Sequence, residues 1–268
     1  MKSSPSKISV IIVSWNVAAS LKRCLQSVLK TQYPNLEIFV IDNHSADASV
    51  AVADSFKTSG VQVVTNFGNL GFPKAVNQGL NRATGDYYLL LNPDARLPKN
   101  FFLRSLDFFA KHQDAFVMGV KLLDPDGRTQ GSVFPEPSVI NTLKEFWFGQ
   151  RGLTLKYSPA GDKPVPVNAV SGACMFFPKR TLDTIGRFTE EVFMYYEDLD
   201  FCRRIRRYGG KVYFHPGIEV VHEHGQSAIQ TAGADGNYLN SSSLWYNGPV
   251  KHYLIWFIIR VSQLLTGK

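Results

Sequence analysis

"YYLLLNPDARL", Tyr87 to Leu97, is a five-residue run suited to a buried strand that meets Asn92-Pro93-Asp94 without a spacer. The proline cannot donate to a ladder, so the strand stops there. Two structures end this way. One is an ordinary turn, for which Asn-Pro-Asp is a common signal. The other is a strand that delivers the Asp94 carboxylate to a ligand. The segments on either side bear on which applies.

Toward the N-terminus, strand-like and helix-like runs alternate. "ISVIIVSW", Ile8 to Trp15, is β-branched and apolar. Leu21, Cys24, Leu25 and Val28 then recur at i, i+3, i+4 and i+7, one helix face. "LEIFVID" reads as a second strand, "ASVAVADSF" as a helix and "VQVVT" as a third strand. Val76, Gly79, Leu80 and Ala83 mark another helix face before "YYLLL". This alternation predicts an α/β fold with a mostly parallel central sheet and helices on both sides. Continuously apolar strands fit burial on both faces. In such sheets ligands bind beyond the carboxyl ends of the strands. Those ends carry Trp15-Asn16, "DNHSAD" (Asp42 to Asp47), "NFGNLGF" (Asn66 to Phe72) and "NPD". Four polar or acidic loops in succession point to a site.

The 268 residues suffice for one large domain or two small ones, and 44% hydrophobic with 19% charged is an ordinary globular balance. "MKSSPSK" reads as a short polar tail, so no signal peptide is expected. Nor is a membrane-spanning helix, because no run of eighteen apolar residues occurs. Cys24, Cys174 and Cys202 are distant and odd in number, which favours free thiols and a cytoplasmic compartment. The net charge of +7 favours an anionic partner. "RRIRR", Arg203 to Arg207, sits in no nucleic-acid-binding pattern, so nucleic acid is not expected.

Beyond "NPD" the pattern weakens from Gly127 to Asn168, where five prolines surround the aromatic "EFWFG". This reads as a long variable substrate loop, with Trp147 as a candidate pocket residue on the acceptor side. "AVSGACMFF" reads as a strand and "KRTLDTI" as a helix. "VFMYYEDLDFCRRIRRYG" and the strand-like "KVYFHPGIEVVHEHG" follow, then a mobile polar segment, "TAGADGNYLNSSS".

Three constellations carry chemistry. Asp94 either closes a turn or holds a hard cation, which prefers oxygen ligands. In "DNHSAD", Asp47 suits the cap of the following helix, while Asp42 at the strand end is placed to accept from the imide N–H of a uracil or thymine ring. In "MYYEDLDFCRR", Glu197, Asp198 and Asp200 either charge the first turn of a helix or send a carboxylate into a pocket as a base. Adjacent side chains point apart, so Glu197 and Asp198 compete for that role. His222 in "VVHEHGQS" is a structural histidine or, beside carboxylates, a ligand suited to Mn²⁺, with His224 as the alternative. No G-x-G-x-x-G, P-loop lysine motif or G-x-S-x-G elbow occurs.

Taken in order, "VSWN", "VIDNHSAD", "NLGFPKAVNQGL", "LLLNPD", "VSGACMFFPKRTLDTIGRF", "FMYYEDLDFCRR" and "VVHEHGQS" resemble the inverting family 2 glycosyltransferases, nearest their rhamnosyltransferase-like branch, over Ile8 to Ser227. The resemblance implies a GT-A type fold at residues 1–227. Its nucleotide-binding half ends near 95 and its acceptor half runs over 96–227. A polar linker and an apolar C-terminal helix occupy 228–268. It also implies a dTDP- or UDP-linked sugar donor, Mg²⁺ or Mn²⁺, and a saccharide or lipid-linked saccharide acceptor. By it, Asp42 meets the base, Asn16, Asn43, Asn69, Gly71, Asn77 and Asn92 line the donor pocket, Asp94 and His222 hold the metal, and Asp198 is the catalytic base with Glu197 nearby. In "RFTEE", Arg187 and Thr189 depart from the family's small residue and Asp. The rivals are a sugar-nucleotide nucleotidyltransferase and a non-catalytic glycan- or lipid-binding relic. "HYLIWFIIRVSQLL", His252 to Leu265, is too short to span a bilayer and reads either as an interfacial helix at the inner face of the cell membrane or as a helix docked on the domain.

Overall fold

The computed structural model describes residues 4–223 and 235–266. The four apolar runs of the first half are strands: β1 (Ile8–Ser14), β2 (Leu36–Asp42), β3 (Val61–Thr65) and β4 (Tyr87–Leu91). Helices α1 (Ala18–Lys30), α2 (Ser49–Asp54) and α3 (Phe72–Arg82) cross between them. The strands pair in parallel in the order β3-β2-β1-β4.

Period-two alternation divides β1 between two cores. Ile8, Val10 and Ile12 meet α1 and α2 on one face, together with Leu21, Cys24, Leu25 and Val28. Ile11 meets α3 on the other through Val76 and Leu80. A Cβ at Gly79 would lie 2.6 Å from an Ile11 methyl, so glycine there lets α3 settle onto β1.

The second half comprises β5 (Ala95–Arg96), α4 (Phe101–Lys111), β6 (Ala115–Leu123), β7 (Thr129–Gln130), β8 (Val133–Phe134), α5 (Val139–Phe148), β9 (Val165–Val167), β10 (Ala169–Val170), β11 (Cys174–Pro178), α6 (Lys179–Ile185), α7 (Glu197–Tyr208), β12 (Lys211–His222), α8 (Asp235–Asn247) and α9 (Pro249–Thr266). The large sheet continues β4-β11-β6-β12-β5. The expected parallel sheet therefore holds for the first half and becomes mixed beyond it. β11 is antiparallel to both β4 and β6, β12 is parallel to β6, and β5 is antiparallel to β12. The chain enters β11 from the short strands β9 and β10 rather than over a crossover helix, and a parallel neighbour requires such a crossover.

Three sequence readings are corrected. "AVSGACMFF" is two strands, β10 and β11, parted by Ser171-Gly172-Ala173, and β10 leaves the large sheet to pair with β8. The stretch from Gly127 to Asn168 is not a structureless loop, for it holds α5 and three short strands. α5 escapes the periodicity because Ile140, Leu143, Trp147 and Phe148 remain exposed and only Thr142 is buried. The polar linker is helical from Asp235, as α8. Its earlier part, with His224, lies outside the described residues. No helix among them is long and apolar enough to cross a membrane.

Candidate active site

The loops after β1, β2 and β3 are tied together by side chains. Asp42 is buried and accepts from both the Ser45 N–H (2.8 Å) and the Ser45 hydroxyl (2.5 Å). That hydroxyl also accepts from the Asn16 N–H, while Asn16 Oδ1 accepts from the Ala46 N–H. Asn16 sits at φ 54, a left-handed conformation that asparagine tolerates. Asp47 accepts from the N–H groups of Ser49 and Ala18, so it serves the starts of α2 and α1. Burial opposes ionisation of Asp47, but these donors outweigh it and hold its pKa below the usual value.

Asn43 donates to Asn69 Oδ1 and to the Gly71 carbonyl, and accepts from Asn66. Gly71 has φ 85, and a Cβ there would lie 2.5 Å from the Phe193 carbonyl oxygen. The "NLGF" turn thus presses on the segment before Glu197, where the Phe72 N–H bonds the same carbonyl. Asn77 is spent structurally: Oδ1 accepts from the Phe188 N–H, and Nδ2 donates to the Phe188 carbonyl and to Glu190.

The two-residue strand β5 explains Asp94. Ala95 pairs with His222 in the antiparallel register, and the Asp94 carbonyl accepts from the Glu223 N–H. Asp94 Oδ1 therefore lies 3.3 Å from His222 Nε2, with both side chains buried. Gln130 sets the imidazole tautomer. Its Nε2 donates to the His222 carbonyl (2.8 Å), so its Oε1 accepts the Nδ1–H (3.0 Å). His222 Nε2 then presents a lone pair toward Asp94 Oδ1, which is buried with no hydrogen-bond partner. A carboxylate oxygen and an imidazole lone pair face each other, an arrangement a divalent cation satisfies. The donor set fits Mg²⁺ or, better, Mn²⁺. Among the described residues no group of three or more His, Cys, Asp or Glu that could hold a metal ion occurs. With this tautomer Asn92 Nδ2 donates to the same Nε2 (3.3 Å), a bond that a cation held there would have to displace.

Glu197 and Asp198 open α7, preceded by Tyr195 and Tyr196 at φ 72 and 66. Two consecutive left-handed non-glycine residues cost roughly 1–2 kcal/mol each, and the turn they make starts the helix inside a cavity of about 550 Å³. Both Glu197 and Asp198 are among the residues that line it. Asp198 accepts from the Leu199 N–H (2.8 Å) and the Gly172 N–H (3.3 Å). Burial raises its pKa, opposed by the Lys156 cation and those two N–H groups. Glu197 is pushed up to about 8, first by burial and then by the Asp198 charge. Its Oε2 has no partner. At neutral pH Glu197 keeps its proton.

One turn joins the two sites. The Ala173 carbonyl accepts from the Asn92 N–H (2.9 Å), while the adjacent Gly172 N–H bonds Asp198. Lys156 lines both the Glu197–Asp198 cavity and a second one of about 310 Å³ that reaches Ser171 and His222. Sequence reasoning missed Lys156, Gln130 and the 171–173 turn. The first two lie in the stretch whose patterning is weakest, and the third was read as strand. Trp147 is corrected: it donates to the Ile258 carbonyl on α9 and lies off the cavity, which its neighbour Phe146 lines instead. Arg187 and Thr189 line neither cavity.

Residues 5–234 match the family model described as glycosyltransferase like family 2. The chain is 27% identical over 239 residues to the N-acetylglucosaminyl-diphospho-decaprenol L-rhamnosyltransferase of Mycobacterium tuberculosis, covering 82% of this chain and 77% of the relative. It is 25% identical over 268 residues to the dTDP-rhamnosyl transferase RfbF of Shigella flexneri, covering 98% and 81%. Among solved structures, the mannosyltransferase PcManGT of Pyrobaculum calidifontis, in complex with GDP-Man and Mn²⁺, superposes with a TM-score of 0.65 at 16% identity, covering 98% of this chain and 74% of that one. That likeness concerns the fold, which is GT-A.

Proposed function

The chain belongs to glycosyltransferase family 2, and from that premise we propose an inverting, metal-dependent transfer of a sugar from a nucleoside diphosphate to a hydroxyl of a saccharide or lipid-linked saccharide acceptor, in cell-surface polysaccharide synthesis. The donor we favour is dTDP-linked rhamnose, because two relatives are named for rhamnosyl transfer and one for dTDP. A UDP-linked sugar is the alternative. Residues 1–95 form the donor half, 96–227 the acceptor half and 228–268 an appended segment. The enzyme works in the cytoplasm, at the inner face of the membrane.

The observation that carries this reading is the 171–173 turn, which bonds both Asp198 and the N–H of Asn92, two residues before Asp94. Asp94 and His222 would hold Mg²⁺ or Mn²⁺, which when bound supplies neutralisation of the leaving diphosphate. Asp42, Asn16, Asn43, Asn69 and Gly71 shape the donor side, with Asp42 at the base, while Asn77 holds the Phe188 loop instead. Asp198 takes the proton of the acceptor hydroxyl, while protonated Glu197 leaves the local charge at one carboxylate. A single displacement with one base inverts the anomeric centre and needs no protein nucleophile.

Nucleoside diphosphate release from a panel of dTDP-, UDP- and GDP-sugars, with Mn²⁺ and a lipid-linked saccharide acceptor, tests the reading. Release from one donor class that needs both metal and acceptor is expected. Pyrophosphate release would instead indicate a nucleotidyltransferase, and no release with any donor would leave the binding relic. In calorimetry with Mn²⁺, Asp94→Ala should remove metal-dependent donor binding without altering the melt. Unchanged donor affinity would return Asn92-Pro93-Asp94 to a turn.

A further inference from the structure

α9 is apolar on two faces. Its inner face packs on α5, where Trp147 bonds the Ile258 carbonyl and the Ser262 hydroxyl bonds the Phe146 carbonyl. Its outer face carries Val250, Tyr253, Leu254, Phe257 and Leu264 at three-, four- and seven-residue spacings, each between 46% and 83% exposed. An exposed apolar stripe of this kind marks an interaction surface. From Gly236 to Lys268 the sequence contains no Asp or Glu, while Lys251, Arg260 and Lys268 are basic.

Beside this stripe, where α7 ends and α9 begins, lies a concavity of about 450 Å³ lined by Arg203, Arg206, Arg207 and Lys251 with a single carboxylate, Glu136. Glu136 is committed to Arg203 (3.0 Å) and Arg206 (2.5 Å). Arg207 and Lys251 have no ion-pair partner among the described residues. Two buried polar atoms lining the concavity, Arg206 Nε and Asn247 Oδ1, also lack hydrogen-bond partners. Four cations meet one anion.

We propose that this concavity is a binding site for the phosphate headgroup of an anionic lipid, and that it and the outer face of α9 together dock the protein on an anionic bilayer. A basic site next to exposed Tyr253 and Trp256 fits the headgroup level of a membrane, where amphipathic aromatic rings and cations both gain. A second copy of the chain fits less well, since a self-complementary contact would set two cationic concavities side by side. Ile255 and Ile259 of the docking helix α9 also line the Glu197–Asp198 cavity, so the same helix borders both surfaces. The inference deepens the reading of a lipid-linked acceptor but is tested apart from it.

The test is sedimentation of the full chain with phosphatidylcholine vesicles, with and without phosphatidylglycerol. Preference for the phosphatidylglycerol vesicles, weakening with salt, is expected. A surface basic residue contributes roughly fivefold in partitioning, so Arg207→Gln with Lys251→Gln should lower it about thirtyfold, while Trp256→Ser with Phe257→Ser should lower binding to both vesicle types. All variants should melt like the parent and release nucleoside diphosphate from a nucleotide sugar at the parent's rate. Equal binding to both vesicle types, or an unaffected Arg207→Gln, Lys251→Gln variant, overturns the site. So does release of the protein by soluble glycerophosphate, which would make the ligand a small anion, or a solution dimer broken by Phe257→Ser. Failure of vesicle binding with donor turnover intact would refute the docking and leave the transferase standing.

Discussion

Glu197 and Asp198 line one cavity, and that neighbourhood has consequences for both stability and rate. Glu197 titrates near 4.5 when unfolded and about 8 when folded. Between those values the unfolded chain has lost a proton that the folded one keeps, so stability is full below pH 4.5 and declines as pH rises through 8. The decline is bounded at roughly 5 kcal/mol. Urea midpoints at pH 5 and 9 should therefore differ more for the parent than for Glu197→Gln, and parallel behaviour would mean Glu197 is ionised in the fold. Asp198→Asn keeps the shape, loses the basicity and should lower turnover about 10²- to 10⁴-fold with donor affinity nearly unchanged. If it loses donor binding as Asp94→Ala should, it is not the base.

Between elements, buried amides do the positioning. Asn77 on α3 holds both the N–H and the carbonyl of Phe188, whose ring stacks on Phe201 of α7 at 4.3 Å. Asn77→Ala leaves two buried backbone groups without partners, at roughly 1–3 kcal/mol each. A lowered denaturant midpoint of that order is the expected result. A change under half a kilocalorie, measured by chemical denaturation, would mean that water or a side-chain shift replaces the clamp. Glu223 acts similarly at the end of β12. It accepts from Arg23 and Ser20 of α1 and anchors the strand that carries His222. Arg23 first, then Ser20, hold its pKa below the usual value against burial. "NPD" ends β4 and leads into the two-residue strand that pairs with His222.

Across the whole molecule, residues 1–95 and 96–227, the proposed donor and acceptor halves, are parts of one sheet. β11, from the second of these stretches, pairs along all five residues of β4 and also with β6. One core spans both halves, with Val10 and Leu91 beside Phe101, Phe108 and Phe176. Residues 1–95 alone would expose the β4 edge and the apolar side chains under it, an arrangement prone to aggregation. That fragment is expected to show no cooperative melt, whereas the full chain should. A sharply melting monomeric 1–95 fragment would establish two folding units.

The sequence alone determined the first four strands, the helix faces between them and the loops at their ends, because these depend on residue spacing and on propensities that act within a dozen residues. It also placed Asp94, Asp198 and His222 at element ends, since proline, acid clusters and β-branched runs punctuate a chain locally. The tertiary structure alone decided that Asp94 meets His222, because that contact rests on the register of two residues against a strand more than a hundred positions away. It alone decided that Glu197 and Asp198 share a cavity with Lys156, and that Asn77 serves a loop. The direction of β11 and the existence of α5 were likewise invisible. An antiparallel insertion is chosen by which edges remain unpaired, and α5 keeps apolar residues outward, so neither leaves a period in the sequence that a local reading detects.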